Sequence, residues 1–167
     1  MANNNHLIDK YIDALLVEAA LRKNELNSET ITTVYLGGGT PSLLSITQLS
    51  KLVNGLKKVF DFSDLEEFTI EVNPDDVTAY YIQQAKSLGI NRVSMGVQSF
   101  NDEDLRFMNR RHTAKQATDA IHIIKEAGID NISIDLIYGI PGQNIEIWKN
   151  NVDTAISLSV QHISIFC

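Results

Sequence analysis

The stretch Lys86-Ser-Leu-Gly-Ile-Asn-Arg-Val-Ser-Met decides the fold, because Lys125-Glu-Ala-Gly-Ile-Asp-Asn-Ile-Ser-Ile repeats its pattern 39 residues later. Each copy has the pattern of a helix end, a turn and a strand. Gly89 and Gly128 stand where each helix should stop, since glycine readily takes the left-handed conformation that ends a helix. Strands that alternate with helices in this way pair in parallel, so the repeat predicts an α/β fold.

Outside the repeat, apolar periodicity and capping residues predict the other elements. We expect helices from Leu7 to about Asn24, from about Thr47 to Phe60, from about Asp76 to Leu88, after a cap at Thr113 and Gln116, and from Ile145 to Leu158. We expect further strands at Thr33 to Leu36, Phe68 to Val72 and His162 to Phe166. The strands are too apolar to have one face in water.

Two architectures suit these units, a TIM-type (β/α) barrel and an open doubly wound sheet. Units of similar length favour the barrel. A complete eightfold barrel usually takes about 250 residues, whereas this chain of 167 residues supplies only about five strands. We therefore expect a single domain over residues 1–167, with a barrel that is partial or truncated.

Composition argues against several classes of function. The net charge of −7 disfavours nucleic-acid binding, which depends on Lys and Arg that displace counterions. No apolar run approaches the roughly 20 residues that span a bilayer, and the polar start from Met1 to Asn5 lacks a signal-peptide core, so we expect a cytoplasmic protein. Cys167 is the only cysteine, which excludes an internal disulfide and a cysteine-rich metal cage.

Four predicted strands end in polar or glycine-rich sequences. In either architecture the carboxyl ends of parallel strands form the ligand site. The four sequences are Gly37-Gly-Gly-Thr-Pro41, Glu71-Val-Asn-Pro74, Gly96-Val-Gln-Ser-Phe100 and Asp135-Leu-Ile-Tyr-Gly-Ile-Pro-Gly142. We expect them to converge on one mouth of the fold.

The glycines and carboxylates at these strand ends each allow a functional and a structural interpretation. The glycines can bring the backbone close to a ligand or form a plain tight turn. They lack the spacing of a Walker loop or a dinucleotide fingerprint. Glu71 and Asp135 can accept hydrogen bonds from an ammonium group or ribose hydroxyls, or can pair with a neighbour such as Arg92.

The remaining polar side chains are ambiguous when taken singly. Gln98 can be a satisfied core amide, and Arg110 can be a solvated helix charge or a guanidinium fork for a ligand carboxylate. No pair of histidines has metal-ligand spacing, so we interpret each as structural. The histidines are His6, His112, His122 and His162.

The four strand-end sequences and Asn109-Arg-Arg-His112 together resemble, in order and spacing, the radical S-adenosylmethionine (SAM) family. Within it, the resemblance is to the branch of oxygen-independent coproporphyrinogen III oxidases and HemW proteins, and it covers nearly the whole chain. It implies a partial, six-stranded (β/α) barrel. It also implies a [4Fe–4S] cluster that reduces SAM to methionine and a 5′-deoxyadenosyl radical.

The resemblance implies a role for each residue that matches a SAM-contacting position. The glycines and Thr40 would bind the methionyl amino group, and Tyr138 to Pro141 would lie near the adenosine. The methionyl carboxylate, amino and ribose groups would be lined by Glu71, Gln98, Arg110 and Asp135, with Arg110 as the partner of the carboxylate. No residue of this chain receives a catalytic role. The matching residues are Gly38, Gly39, Thr40, Glu71, Gln98, Arg110, Asp135 and Tyr138.

The chain departs from the family at the cluster motif. The family carries Cys-x-x-x-Cys-x-x-Cys on a loop just upstream of the helix that opens this chain, and this sequence lacks it. Cys167 cannot replace three closely spaced thiolates. We therefore expect no metal ligand here, a cluster only in the full-length protein, and no activity from the isolated chain. We also expect these 167 residues not to include the family's C-terminal domain.

Two functions of the full-length protein agree with the resemblance. One is the oxidative decarboxylation of coproporphyrinogen III to protoporphyrinogen IX, and the other is a chaperone that binds heme and delivers it to apoproteins. The short opening helix, Arg110-Arg-His-Thr-Ala114 and Pro141-Gly-Gln143 favour the chaperone. A generic phosphate-sugar barrel enzyme would require five coincidental matches. We expect SAM and a porphyrinogen or heme as partners, and self-association through exposed strand edges.

Overall fold

The computed structural model describes residues 2–27 and 29–167 as six α-helices, five β-strands and three short 3-10 turns. The helices are α1 (Ala2–Arg22), α2 (Ile46–Val59), α3 (Ala79–Ser87), α4 (Asp102–Phe107), α5 (Ala114–Glu126) and α6 (Ile145–Ser157). The strands are β1 (Thr33–Leu36), β2 (Glu67–Val72), β3 (Arg92–Gln98), β4 (Asn131–Ile137) and β5 (His162–Phe166). None of the helices in this described part is long and apolar enough to cross a membrane.

All five strands lie in one sheet in the order β1-β2-β3-β4-β5, and every neighbouring pair is parallel. A doubly wound sheet would reverse its strand order at a switch point. The sequential order therefore favours the barrel over the doubly wound alternative and confirms the prediction of about five parallel strands. β1 and β5 form the two edges of the sheet.

One face of the sheet carries the hydrophobic core. Phe68 and Ile70 of β2 are fully buried, and they belong to one cluster with Leu49 of α2, Ile82 of α3 and Ile121 of α5. The helices α2, α3 and α5 are therefore packed against the same core. Burying such side chains removes apolar area from water, which is the main force that stabilises the fold.

The opposite face of the sheet is polar. In the middle strands, Thr69, Ser94 and Ser133 alternate with apolar residues and are nevertheless buried. The expectation that no strand has a face in water holds there and is wrong at both edges of the sheet. Tyr35 of β1 is 53% exposed, and Ile165 and Phe166 of β5 are 51% and 53% exposed. An edge strand has a neighbour on one side only, so its side chains stay accessible.

The predicted helix boundaries are largely confirmed. Ser45 and Gln48 form a capping box at the start of α2, and Thr113 and Gln116 form another at the start of α5. Gly89 and Gly128 have φ angles of 106° and 81°, as expected for left-handed helix ends. The repeat is therefore a structural unit as well as a sequence pattern.

Three elements differ from the prediction. α1 begins at Ala2, five residues before the expected start at Leu7. α3 begins at Ala79 because Pro74–Asp76 form a separate 3-10 turn, and Thr78 caps the helix by accepting a hydrogen bond from the amide of Tyr81. The short helix α4 was not predicted. Asn101 caps it by accepting hydrogen bonds from two backbone amides, so a turn-forming sequence becomes one and a half turns of helix.

Candidate functional site

A cavity of about 270 Å³ lies at the carboxyl ends of the strands, on the polar face of the sheet. It brings together six of the eight residues predicted to contact a ligand. Its lining is Gly39, Thr40, Glu71, Val72, Asn73, Ser94, Gly96, Gln98, Arg110 and Asp135. The expected convergence of the strand ends is therefore present for β1, β2, β3 and β4.

A larger cavity of about 690 Å³ lies at the other end of the sheet. Its lining comes from the segments before β1 and β2, and consists of Lys23, Asn24, Leu26, Asn27, Glu29, Thr30, Ile31, Val59, Phe60, Asp61, Ser63 and Asp64. None of the predicted site residues is there. Because parallel β/α folds place their sites at the carboxyl ends of strands, the smaller cavity is the better candidate.

Glu71 organises the glycine loop that follows β1. Its Oε2 accepts a 3.0 Å hydrogen bond from the amide of Gly38, and its Oε1 accepts a 2.9 Å hydrogen bond from the hydroxyl of Tyr35. The suggested pairing of Glu71 with Arg92 is not formed. Arg92 lies instead 3.7 Å from a carboxylate oxygen of Glu67.

The glycine loop needs glycine for steric and conformational reasons. A Cβ on Gly37 would lie 2.5 Å from the Tyr35 ring and 2.8 Å from Glu71 Oε1. Gly38 and Gly39 have φ angles of 79° and 65°, which side chains rarely adopt. Gly38 does not itself line the cavity, but its amide is fixed by Glu71, which does.

Arg110 is oriented toward the cavity by two hydrogen bonds. Its Nη2 donates to Asn73 Oδ1 at 2.9 Å and to the Gly96 carbonyl at 3.1 Å. Arg110 is half-buried and lies between α4 and α5, so the interpretation as a solvated helix charge is wrong. A fixed guanidinium loses little freedom when it binds a carboxylate.

Gln98 has an unusual backbone. Its φ is 68°, and the ladder between β3 and β4 shifts register between Met95 and Gln98. Left-handed backbone at a residue other than glycine is costly and needs support from its surroundings. That support comes from the Val97 carbonyl, which accepts hydrogen bonds from the Ser99 amide at 2.9 Å and from His112 Nε2 at 3.0 Å.

His112 is structural, as the sequence suggested. It is 3% exposed, and burial lowers the pKa of its imidazole, so the ring is neutral and donates from Nε2. Within the described residues, its Nδ1 has no hydrogen-bond partner. The role of the ring is to hold the Val97 carbonyl beside Gln98.

Asp135 is a half-buried carboxylate near the end of β4. Burial raises its pKa above the usual value, and the nearby charge of Glu71 raises it further, whereas a hydrogen bond to Ser164 and the charge of His162 act in the opposite direction. Two carboxylates facing one cavity favour a ligand with ammonium or hydroxyl donors.

Tyr138, like Gly38, is a predicted residue that does not line the cavity. Its side chain is 45% exposed and its ring packs against Trp148 with 5.8 Å between the ring centroids. Its amide donates to the Phe166 carbonyl at 2.9 Å, so the backbone joins the ends of β4 and β5.

Sequence reasoning missed three side chains that matter for the site. Asn73 and Ser94 line the cavity, and Tyr35 holds Glu71 from β1. Asn73 stood inside a quoted motif but received no role. The alternation of polar residues along β1 and β3 was the available signal for the other two, because residues two apart share a face.

The comparison with family models matches residues 4–155 to the Radical SAM superfamily. This chain belongs to that superfamily. A solved structure of coproporphyrinogen III oxidase (HemN) from Escherichia coli, described as a radical SAM enzyme, superposes with a TM-score of 0.87 at 33% identity. That match covers 96% of this chain and 37% of the other, which confirms the predicted TIM-type α/β architecture of the superfamily.

Curated relatives fall into two groups. The heme chaperone HemW of Lactococcus lactis is 40% identical over 159 residues, covering 95% of this chain and 41% of the relative. The oxygen-independent coproporphyrinogen III oxidase of Escherichia coli is 32% identical over 166 residues, covering 99% and 36%. The chain thus spans about two fifths of the length of the curated relatives it matches.

Radical SAM proteins use SAM and a [4Fe–4S] cluster, and the residues present fit only the first of these. Backbone amides of a glycine loop, two carboxylates and an oriented guanidinium suit the amino acid and ribose groups of SAM. The cluster needs three thiolates, whereas the sequence has one cysteine, the exposed Cys167. No group of His, Cys, Asp or Glu among the described residues could hold a metal ion.

Proposed function

We propose that the cavity is the SAM-binding site of a radical SAM protein of heme metabolism. The observation that carries this proposal is the meeting of Glu71, Gln98, Arg110 and Asp135 in one cavity beside the glycine loop. These residues come from three strands and one connecting segment, 64 residues apart at the extremes. Their placement around one ligand is what the resemblance requires of them.

Each group has a chemical task in this proposal. Arg110 binds the methionyl carboxylate, because Nη2 is taken by Asn73 and Gly96 while the rest of the guanidinium can form charge-assisted hydrogen bonds. Gly38, Gly39, Thr40 and the nearby polar side chains receive the amino group. Asp135 accepts a hydrogen bond from a ribose hydroxyl.

For the full-length protein, we favour a HemW-like heme chaperone. The first four curated relatives carry that name, at 38–40% identity. The alternative is a coproporphyrinogen III oxidase, favoured by the HemN structural match and by relatives at 31–32% identity. Either function brings a porphyrinogen or heme as second partner.

The chain's own share of that function is binding. The electron that cleaves SAM in this superfamily comes from the [4Fe–4S] cluster, and the residues present do not hold it. We therefore regard residues 1–167 as one radical SAM core domain that acts together with cluster ligands from outside this sequence. A cytoplasmic location and self-association through the β1 and β5 edges are further parts of the proposal.

Calorimetry with SAM and with S-adenosylhomocysteine tests the binding site in the full-length protein. Saturable binding of both ligands at one site is expected. Absence of any SAM binding would overturn the proposal. A heme titration followed by absorbance, beside an assay for protoporphyrinogen IX formed from coproporphyrinogen III, distinguishes the chaperone from the oxidase.

A further inference from the structure

A cluster of buried polar side chains lies next to the proposed SAM site. Ser99, Asp104 and Asn151 are 0%, 4% and 1% exposed. Asp104 Oδ2 accepts hydrogen bonds from Ser99 Oγ at 2.8 Å and from Gln143 Nε2 at 2.7 Å. Asn151 donates to Ser99 Oγ at 3.0 Å and accepts from the amide of Phe100 at 2.7 Å. A buried carboxylate is stable only when it is bonded in this way.

Gln143 connects this cluster to the loop that follows β4. While its Nε2 donates to Asp104, its Oε1 accepts a 3.0 Å hydrogen bond from the amide of Gly139. The backbone amide of Gln143 donates to the Ile140 carbonyl at 2.8 Å, which closes a turn. Gly139 and Gly142 both have positive φ angles, so the loop backbone has few restraints of its own. The Gln143 side chain supplies the missing restraint.

The restrained loop lies at one end of the cavity. The cavity extends from the glycine loop after β1 to Asp135 on β4, and the loop begins at Tyr138, three residues later. The part proposed for the amino acid group of SAM is the glycine loop after β1 and Arg110, which is bonded to Asn73 after β2 and to Gly96 of β3. A ligand that extends past Asp135 therefore reaches the loop with its other end.

The same network reaches the cavity from a second direction. Ser99 directly follows Gln98, whose left-handed backbone aims its side chain into the cavity. One buried carboxylate, Asp104, is thus bonded both to the residue beside Gln98 and to the side chain that holds the loop. A substitution of Asp104 should therefore displace both Ser99, beside Gln98, and the Gln143 side chain that holds the loop.

We infer that Gln143, anchored by Asp104, is a positioning residue for the adenosyl part of SAM. It touches neither the ligand nor the reacting atoms in this role. It acts by fixing the backbone from Tyr138 to Gly142 at the end of the cavity where the adenosyl group would lie. The inference deepens the proposed function and rests on it.

The test compares two ligands that share one end. Gln143→Leu in the full-length protein keeps the side chain's bulk and removes both hydrogen bonds. We expect S-adenosylhomocysteine to bind about five- to tenfold more weakly by calorimetry, the usual effect of losing such bonds, and methionine alone to bind unchanged. Gln83→Leu, on the exposed surface of α3, is the matched control and should change neither affinity.

A rescue variant separates positioning from general destabilisation. Gln143→Glu places two carboxylates together and should weaken S-adenosylhomocysteine binding as Gln143→Leu does. Adding Asp104→Asn reverses donor and acceptor, since the new amide can donate to the glutamate while the glutamate still accepts from Gly139. The double variant should recover affinity to within about twofold of the parent.

Three results would overturn the inference. They are equal S-adenosylhomocysteine affinity in Gln143→Leu and the parent, a parallel loss of methionine affinity, and a double variant no better than Gln143→Glu. A parent that binds no S-adenosylhomocysteine would overturn the proposed function itself. If a thermal melt shows that Gln143→Leu does not fold, the comparison of Gln143→Glu with the double variant decides the question.

Discussion

The hydroxyl of Tyr35 donates a 2.9 Å hydrogen bond to one oxygen of Glu71, and the other oxygen of Glu71 holds the amide of Gly38. Two successive strands therefore define the shape of the glycine loop through one carboxylate. Burial raises the pKa of Tyr35 above its usual value, and the neighbouring Glu71 charge adds to that rise, so the phenol stays protonated as the donor at neutral pH.

Tyr35→Phe removes this donor and little else. We expect SAM affinity to fall about two- to tenfold, because Glu71 is less firmly held against Gly38. Stability should change little, since Tyr35 is 53% exposed. Calorimetry and a thermal melt measure the two effects. Tyr80→Phe, at a 66% exposed tyrosine on α3, is the control, and equal loss in both variants would contradict the prediction.

Arg110→Ala should weaken SAM binding by about 1.5–3 kcal/mol, through loss of charge-assisted hydrogen bonds to the carboxylate. Arg110→Lys should restore only part of it, because an ammonium cannot form the bidentate fork. Calorimetry on the full-length protein gives the affinities. Arg106→Ala, at a side chain that is 71% exposed, serves as control. Unchanged affinity in Arg110→Ala would remove this residue from the site.

Asp135 should make stability depend on pH in a defined direction. Its pKa is raised in the folded state, so folding favours the protonated form, and its contribution to stability is present below the unfolded pKa and lost as pH rises through the folded pKa. Asp135→Asn should therefore stabilise the chain more at pH 7 than at pH 4. Urea unfolding at both values measures the difference.

The control for that experiment is Asp130→Asn, an exposed aspartate just before β4. The change in the free energy of unfolding that Asp130→Asn causes relative to the parent should be similar at pH 4 and pH 7. An increase in the free energy of unfolding of Asp135→Asn that is the same at pH 4 and pH 7 would contradict the predicted pH dependence. The variant should also lose SAM affinity if Asp135 accepts a ribose hydroxyl.

The 167-residue chain by itself should neither assemble a [4Fe–4S] cluster nor cleave SAM. One cysteine cannot supply the three thiolates that such a cluster needs. Anaerobic reconstitution with iron and sulfide, followed by the cluster's absorbance and an assay for 5′-deoxyadenosine, measures both. A stoichiometric cluster with SAM turnover by this chain would refute the ligand count.

The sequence predicted what short-range patterns encode. Glycine at the helix ends, capping boxes and apolar strands placed the elements within a few residues, and the rule that sites lie at strand ends located Glu71, Gln98 and Asp135. Arg110 lies between two helices and was assigned to the site only by the family resemblance. Such patterns depend on neighbours along the chain. They were enough to predict the fold and most of the residues that line the cavity.

What the sequence could not predict depends on partners that are distant in the chain. Asp104 bonds Gln143 across 39 residues, and Tyr35 bonds Glu71 across 36, so neither pairing is visible before the fold is known. The positive φ of Gln98 is imposed by His112 and by the shift of the β3 ladder. The helix α4 could not be predicted from local propensity, because a helix of only six residues has little stability of its own.

The sequential order of the sheet has a consequence for how the chain folds. Each strand pairs only with its predecessor in the sequence and its successor, so no pairing waits for a distant segment. Folding can add one β/α unit at a time as the polypeptide leaves the ribosome. Each pairing nevertheless joins residues 23 to 39 positions apart, so the parallel strands pair more slowly than the helices form. The last units to dock would be α6 and β5, which complete the surroundings of Asp104 and Asp135.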